Sequence, residues 1–405
     1  MASELIRKLF SPRMIRERCS QLHHLGLEDR LRHFRIRNDL LDHAVELVRQ
    51  ETLKHYPDLQ VPPHSRWRHF VVQGVDHWSP LKSQIQDPFD RLQAQFDLVV
   101  TSVLLDAGAG PQWRFQDPLT GKRHSRSEGL ALASLYLFAE GAFSSDPEVP
   151  LRADAQGLQG FTAEKLARGF QVSADNPLVG LEERAQLLRQ LGKRLEVLLG
   201  WPEAPNPRIG GILDRLPVKG GRRLSAEDLL RTLLEVLQEV WPSRLTLGHQ
   251  NLGDVWRHSL LSGPEITAEL VPFHKLTQWL TYSLMEPLEE SGVQLEGVSD
   301  LTGLPEYRNG GLFLDSGVLE LKDPADAERV HPVSSELVVE WRALTIILLD
   351  QLADRLRQRL NRSADTLPLA QILQGGTWSA GRVLAYERRP DGSPPLRIQS
   401  DGTVF

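Results

Sequence analysis

The chain has 405 residues and a formal net charge of −6, with 40% hydrophobic and 25% charged residues. This balance suits a globular protein with a sizeable core and argues against a general nucleic-acid binder, which needs a basic face. Cys19 is the only cysteine, so an intrachain disulfide, a multi-cysteine zinc site and a redox cysteine pair are excluded and a reducing, cytoplasmic home is expected.

The opening MASELIRKLFSPRMIRERC lacks the apolar centre of a signal peptide, and no run of about 18 apolar residues follows, so neither export nor a membrane span is expected. Length admits two or three average domains or one large helical domain with insertions. The patterning favours a predominantly α fold with a few short strands. It is read as one large helical domain over 1–405, divisible into an N-terminal lobe 1–200 and a C-terminal lobe 215–405. The Pro/Gly-rich stretch 201–217, WPEAPNPRIGGILDRLP, is long for a compact connection and reads as a linker or lid.

Leu40, Leu41, Val45, Leu47 and Val48 mark a helix ending near Tyr56-Pro57, and His23 and His24 before it read as surface residues. RWRHFVVQGVDHWSP reads as a short strand and turn, with Trp67, His69, Asp76, His77 and Trp78 packing an N-terminal lobe. A helix over 87–105 carries Phe89, Leu92, Phe96 and Val103 and stops at the glycine turn after Asp106. A carboxyl at the negative end of a helix is favoured neutral, so Asp106 suits proton donation, although an ordinary turn-forming Asp fits as well. Trp113 and Arg114 lie ahead of an apolar helix whose Ser125 and Glu128 have capping-box spacing, and Arg126 beside its N-terminus suits an anion pocket. Leu181 begins a helix carrying Leu187, Leu188 and Leu191. A second capping box, Ser225 with Asp228, opens a helix of Leu229, Leu230, Leu233, Leu237 and Val240.

The run WPSRLTLGHQNLGDVWRHSLL crowds Arg244, His249, Asp254, Trp256, Arg257 and His258. Asp254 and His258 would share a helix face, but with His249 they lack the usual spacing of metal ligands. No metal or other cofactor is expected, and Arg257 is the better candidate, as an anion clamp. From Val271, VPFHKLTQWLTYSL predicts a helix with Phe273, Leu276, Leu280 and Leu284 on one face and Lys275, Gln278 and Tyr282 opposite. With Trp279 beside them, these polar residues suit a cleft-facing helix, and a surface helix gives the same pattern. In LTGLPEYRNGGLF, Pro305 fixes the approach to Glu306, and Gly310-Gly311 lets backbone approach a ligand. A loop pairing of Glu306 with Arg308 is the plainer alternative. A long helix over 333–360 buries Trp341, Leu344, Leu348, Leu352 and Leu356, with Glu336, Glu340 and Arg342 near its start placed to support a site. Turns at Gly375–Trp378 and Asp391-Gly392 imply an ordered tail with a short hairpin.

The words SVLLDAGAG, RSEGLALAS, GAFSSDP, NPLVGLEERAQLL, WPSRL, LGDVWRH, VPFHKLTQWLTYSL, LTGLPEYRNGGLF, SSELVVEWRALT and SDGTVF together resemble the uracil-catabolism protein four family over nearly the whole chain. The resemblance implies a place in pyrimidine degradation after uracil has become its nucleotide and its ring has been opened. Functional links to uracil phosphoribosyltransferase and a GTP cyclohydrolase II-like enzyme follow from it, with no nucleic-acid or membrane partner. More distantly, 271–350 is similar to the queuosine-salvage N-glycosidase family, which implies a multi-helical fold similar to DNA glycosylases. There Lys275 falls on the family's site lysine, Glu306 on its catalytic aspartate, and Tyr307 and Arg308 on its Tyr-Arg pair. Glu in place of Asp moves the carboxylate outward by one methylene, and NGGLF departs from that family's continuation.

These resemblances imply a hydrolase that cleaves the N-glycosidic bond of ribosylurea 5′-phosphate, giving ribose 5-phosphate and urea. Glu306 would stabilise positive charge at C1′, with Asp106 as proton donor. Lys275, Arg308, Arg257 or Arg126 would hold the phosphate, with Tyr307, Trp113, Trp279, Gln278 and His249 lining the pocket. The alternatives are an amidohydrolase or lyase acting on the same ring-opened nucleotide, or a non-catalytic partner of the ring-opening enzyme.

Overall fold

A computed structural model describes residues 2–106, 108–198, 206–220, 222–241 and 244–399. The fold is predominantly α, with helices from Ala2–Leu9 to Trp378–Arg388 and, among the described residues, only short two-stranded ladders. One hydrophobic core runs through it from Ile6 to Leu396. No described helix is long and apolar enough to cross a membrane.

The Lys275–Glu290 helix, here called the axial helix, is enclosed by other elements. Residues on both faces are buried, Gln278 and Tyr282 as fully as Leu284, so the predicted polar face turns inward too. Its Ser283 accepts the Trp67 indole N–H on its carbonyl and the Arg66 amide on its hydroxyl, both at 2.8 Å. The Tyr282 hydroxyl donates to the Thr302 carbonyl at 2.9 Å. Against this axis packs the Pro88–Leu104 helix, opened by Asp87, whose carboxylate accepts the amides of Phe89 and Asp90 at 2.9 Å. The same helix touches the Arg126–Ala139 helix, so the start of the latter is carried to one side of the axis. The Tyr307–Asp315 helix lies between Glu336–Leu360 and Trp378–Arg388.

Two glycines allow that close packing. A Cβ on Gly310 would lie 2.6 Å from the Trp341 ring, and one on Gly381 would strike the Arg308 carbonyl. Gly310 therefore serves a helix–helix contact, not the ligand approach expected from the sequence.

Other expectations are corrected. Ser125 and Ser225 stand at N-cap positions, but neither side chain makes a capping hydrogen bond. Leu373–Thr377 is a π-helical turn inside a continuous helix, not a loop turn. Arg397–Gln399 pairs in parallel with Val330–Pro332, not in a hairpin. His23 is buried. Of the stretch 201–217, residues 201–205 lie outside the described residues. The rest is fastened down: Asp97 pairs with Arg208 at 2.6 Å and accepts the Gly210 amide at 2.7 Å.

Candidate active site

Glu306 is the N-cap of the Tyr307–Asp315 helix, in extended backbone geometry, with its carboxylate folded back onto the first turn. One oxygen accepts the Arg308 amide and the other the Asn309 amide, each at 2.7 Å. It pairs with Arg308 through backbone, and not as the loop ion pair considered above. Burial pushes the Glu306 carboxyl up, against the backbone N–H groups and the charges of Lys275 and Arg308. The result is an oriented carboxylate, 8% exposed, on the wall of a cavity of about 490 Å³.

Lys275 begins the axial helix and lines the same cavity. Its amide donates to Asp254 Oδ2 at 3.0 Å. Asp254 also forms a bidentate pair with Arg342, both contacts at 2.7 Å, and Arg342 Nε donates to the Pro305 carbonyl at 3.4 Å. One buried ion pair thus braces the backbone on either side of the site, at Lys275 and just before Glu306. Burial lowers the Lys275 pKa, while Glu306 and Asp106 oppose the shift. Among the described residues its ammonium makes no direct ion pair or hydrogen bond, so it remains open to a ligand.

Asp106 follows the Pro88–Leu104 helix and lines the same cavity, where its charge acts on Lys275. It is ion-paired with Arg66 at 3.0 Å and accepts the Ser127 hydroxyl at 3.3 Å. Arg66 is fully buried, donates to Ser102 Oγ at 2.7 Å and lies 5.5 Å from the Trp279 ring centre. A carboxylate engaged by a buried guanidinium is placed to accept hydrogen bonds from a ligand or a water.

The remaining wall divides by chemistry. On one side are His64, His69, Trp279 and Trp378. His64 stacks on Trp279 with centroids 6.2 Å apart, and its Nδ1 meets Gln374 Oε1 at 2.9 Å. Burial lowers the His64 pKa to about 4 and pushes His69 well below its ordinary value, so both are neutral near pH 7. On the other side are Tyr307, Arg126 and Arg308 with the segment Asp391–Pro394.

A family profile described as "Protein of unknown function (DUF1688)" matches residues 8–405. The chain belongs to the DUF1688 family. It is similar to "Protein urg3" of Schizosaccharomyces pombe, 39% identical over 418 aligned residues and 100% of both chains. It is also similar to "Uracil catabolism protein 4" of Lachancea kluyveri, 35% identical over 410 aligned residues and 92% of both chains.

In this DUF1688 member the cavity brings together Glu306, Asp106, Lys275, Tyr307, Arg308, Arg126 and Trp279. Four other candidates do not line it. Trp113 is fully buried, its indole N–H bonded to the Phe170 carbonyl at 2.9 Å. Gln278 is fully buried and does not line the cavity. Arg257 is the exposed last residue of an otherwise buried strand and is paired with Glu269, and His249 is exposed in a turn with φ 66°. Asp254 and His258 flank the strand Val255–Arg257 instead of sharing a helix face, and each has its own partner, Arg342 and Glu340. Sequence reading missed Arg66, His64, Trp378 and Arg382. The density of aromatic and basic residues in RWRHF was the available signal, but it was assigned to packing.

Proposed function

We propose that the protein acts in uracil catabolism as an N-glycosidase, hydrolysing ribosylurea 5′-phosphate to ribose 5-phosphate and urea. The observation that carries this reading is the pairing, in one cavity, of an oriented buried carboxylate, Glu306, with a lysine ammonium, Lys275, that has no fixed partner. The name of the Lachancea kluyveri relative, "Uracil catabolism protein 4", supports the pathway.

As the C1′–N bond breaks, the electron pair leaves on the urea nitrogen and positive charge grows at C1′. Glu306, fixed by two backbone N–H groups, stabilises that charge without having to reorganise. The departing nitrogen needs a proton, and Lys275 gives one, since a buried ammonium with a lowered pKa is a competent acid. Water then adds to C1′ and its proton returns to Lys275, while Asp106, held by Arg66, orients the water. Atoms and charge balance: one water is consumed, one C–N bond is broken and one C–O bond is formed.

The test is urea release from ribosylurea 5′-phosphate by the purified protein with a chelator present. Equimolar ribose 5-phosphate and urea are expected, and Glu306→Gln should lower the rate by about 10²–10³-fold. Release of ammonia in place of urea would favour the amidohydrolase reading, and an unchanged rate in Glu306→Gln would defeat the glycosidase reading.

A further inference from the structure

Among the described residues, Lys275, Arg126 and Arg308 line the cavity with no carboxylate ion pair, but they are not equivalent. Lys275 has Glu306 and Asp106 as its nearest opposing charges. Arg126 and Arg308 lie around Tyr307, whose hydroxyl feels both as well as Glu306 and Asp106; Arg308 also acts on Glu306, and its guanidinium lies 5.0 Å from the Tyr307 ring centre. Both converge on one piece of backbone: Arg308 Nη1 donates to the Gly392 carbonyl at 3.1 Å and Arg126 Nη2 to the Asp391 carbonyl at 3.4 Å.

A carbonyl satisfies an N–H but does not neutralise a guanidinium. Two like charges therefore meet in a partly enclosed space, Arg308 only 2% exposed. Each also keeps a buried donor with no hydrogen bond, Arg308 Nε and Arg126 Nη1. The two arginines stand in the first turns of the Arg126–Ala139 and Tyr307–Asp315 helices; the first-turn amides of the latter are taken by Glu306, so there the positive field comes from the Arg308 guanidinium, whereas no side chain caps the former. A tetrahedral dianion is the ligand that meets all of this, because it accepts from several donors at once and cancels both charges.

We propose that Arg126 and Arg308, under the Asp391–Pro394 strap, bind the phosphate of the substrate, leaving Lys275 at the reacting centre and the uncharged ureido group between His64, Trp279 and Trp378. This rests on the reading of the substrate as a ribosyl phosphate, and it fixes which way round the substrate lies.

The experiment is calorimetric titration of the full chain with ribose 5-phosphate and with ribose. The wild-type protein should prefer the phosphorylated sugar. Arg126→Gln should weaken ribose 5-phosphate by about tenfold or more while leaving ribose unchanged, and Lys275→Met should keep the preference. Arg308→Gln should act like Arg126→Gln, but its burial can compromise folding, so half-buried Arg126 carries the test, with a melting curve as control. An unaltered preference in Arg126→Gln, or its loss in Lys275→Met, overturns the assignment. If the preference follows Arg126 while ribosylurea 5′-phosphate yields no urea, the phosphate site stands and the glycosidase reading falls.

Discussion

Asp254 and Glu306 are both acids buried beside the N-terminal end of a helix, both 8% exposed, and they are held in opposite ways. Asp254 is saturated: two guanidinium donors from Arg342, the Trp256 indole and the Lys275 amide. Burial works against its charge, yet Arg342 holds its carboxyl well below the usual carboxylate range. Glu306 has two backbone amides and, among the described residues, no direct ion pair, and burial leaves it above the usual range. A neutralised buried acid is structural, because nothing on it is left for a ligand. One satisfied by backbone alone keeps its negative field directed at whatever enters, and the Lys275 ammonium lining the same cavity likewise has no ion pair among the described residues.

This contrast predicts the largest effect away from the cavity. Arg342→Met strands Asp254 as an unpaired buried charge and should cost about 3–5 kcal/mol of stability, read from the denaturation midpoint. It should also loosen Pro305 and the start of the axial helix, so activity should fall even where the variant is fully folded. Adding Asp254→Asn should recover much of the stability but not the rate. A variant Arg342→Met as stable as the wild type would erase the distinction between the two acids.

A smaller effect is expected at the uncommitted pair. The proposed reaction needs Glu306 ionised and Lys275 protonated. Burial raises the first pKa and lowers the second, so the profile of kcat/KM against pH should be narrowed from both sides. Activity should rise through an acid limb lying above the ordinary carboxylate value and fall through an alkaline limb lying below the ordinary lysine value. Lys275→Arg keeps the charge but is a poor acid. It should lose about 10²-fold or more in rate and abolish the alkaline limb. An alkaline limb that persists unshifted in Lys275→Arg would assign the proton to another group.

The long helices were legible in the sequence because burial on one side imposes a period, as for Leu181–Leu198 and Ala226–Leu237. The cavity residues 275, 306, 307 and 308 were legible as neighbours in two short words of sequence. What was not legible are pairings that no local pattern encodes. Nothing in the residues around 66 and 106 announces that Arg66 and Asp106 meet, or that Arg342 reaches back to Asp254. The axial helix was misjudged for a related reason. Its polar face is buried against other elements, so Gln278 reads from sequence as cleft-facing and lies in the core. Arg257 and His249 were drawn in by composition alone; one is exposed at the end of a strand and the other in a turn.

Helix caps give the smallest and cleanest version of the same contrast. Asp87 does for the Pro88–Leu104 helix what Glu306 does for the Tyr307–Asp315 helix, its carboxylate accepting two first-turn amides. It is on the surface and far from any substrate role. Asp87→Ala should therefore cost about 1 kcal/mol of stability and nothing in rate, whereas Glu306→Gln, which keeps an acceptor for the cap, should cost mostly rate. Ser225→Ala, at an N-cap whose hydroxyl bonds to no amide, should change stability by less than about 0.5 kcal/mol. A loss of rate in Asp87→Ala at full folding would mean that capping as such, and not the placement of Glu306 against Lys275, is what the reaction depends on.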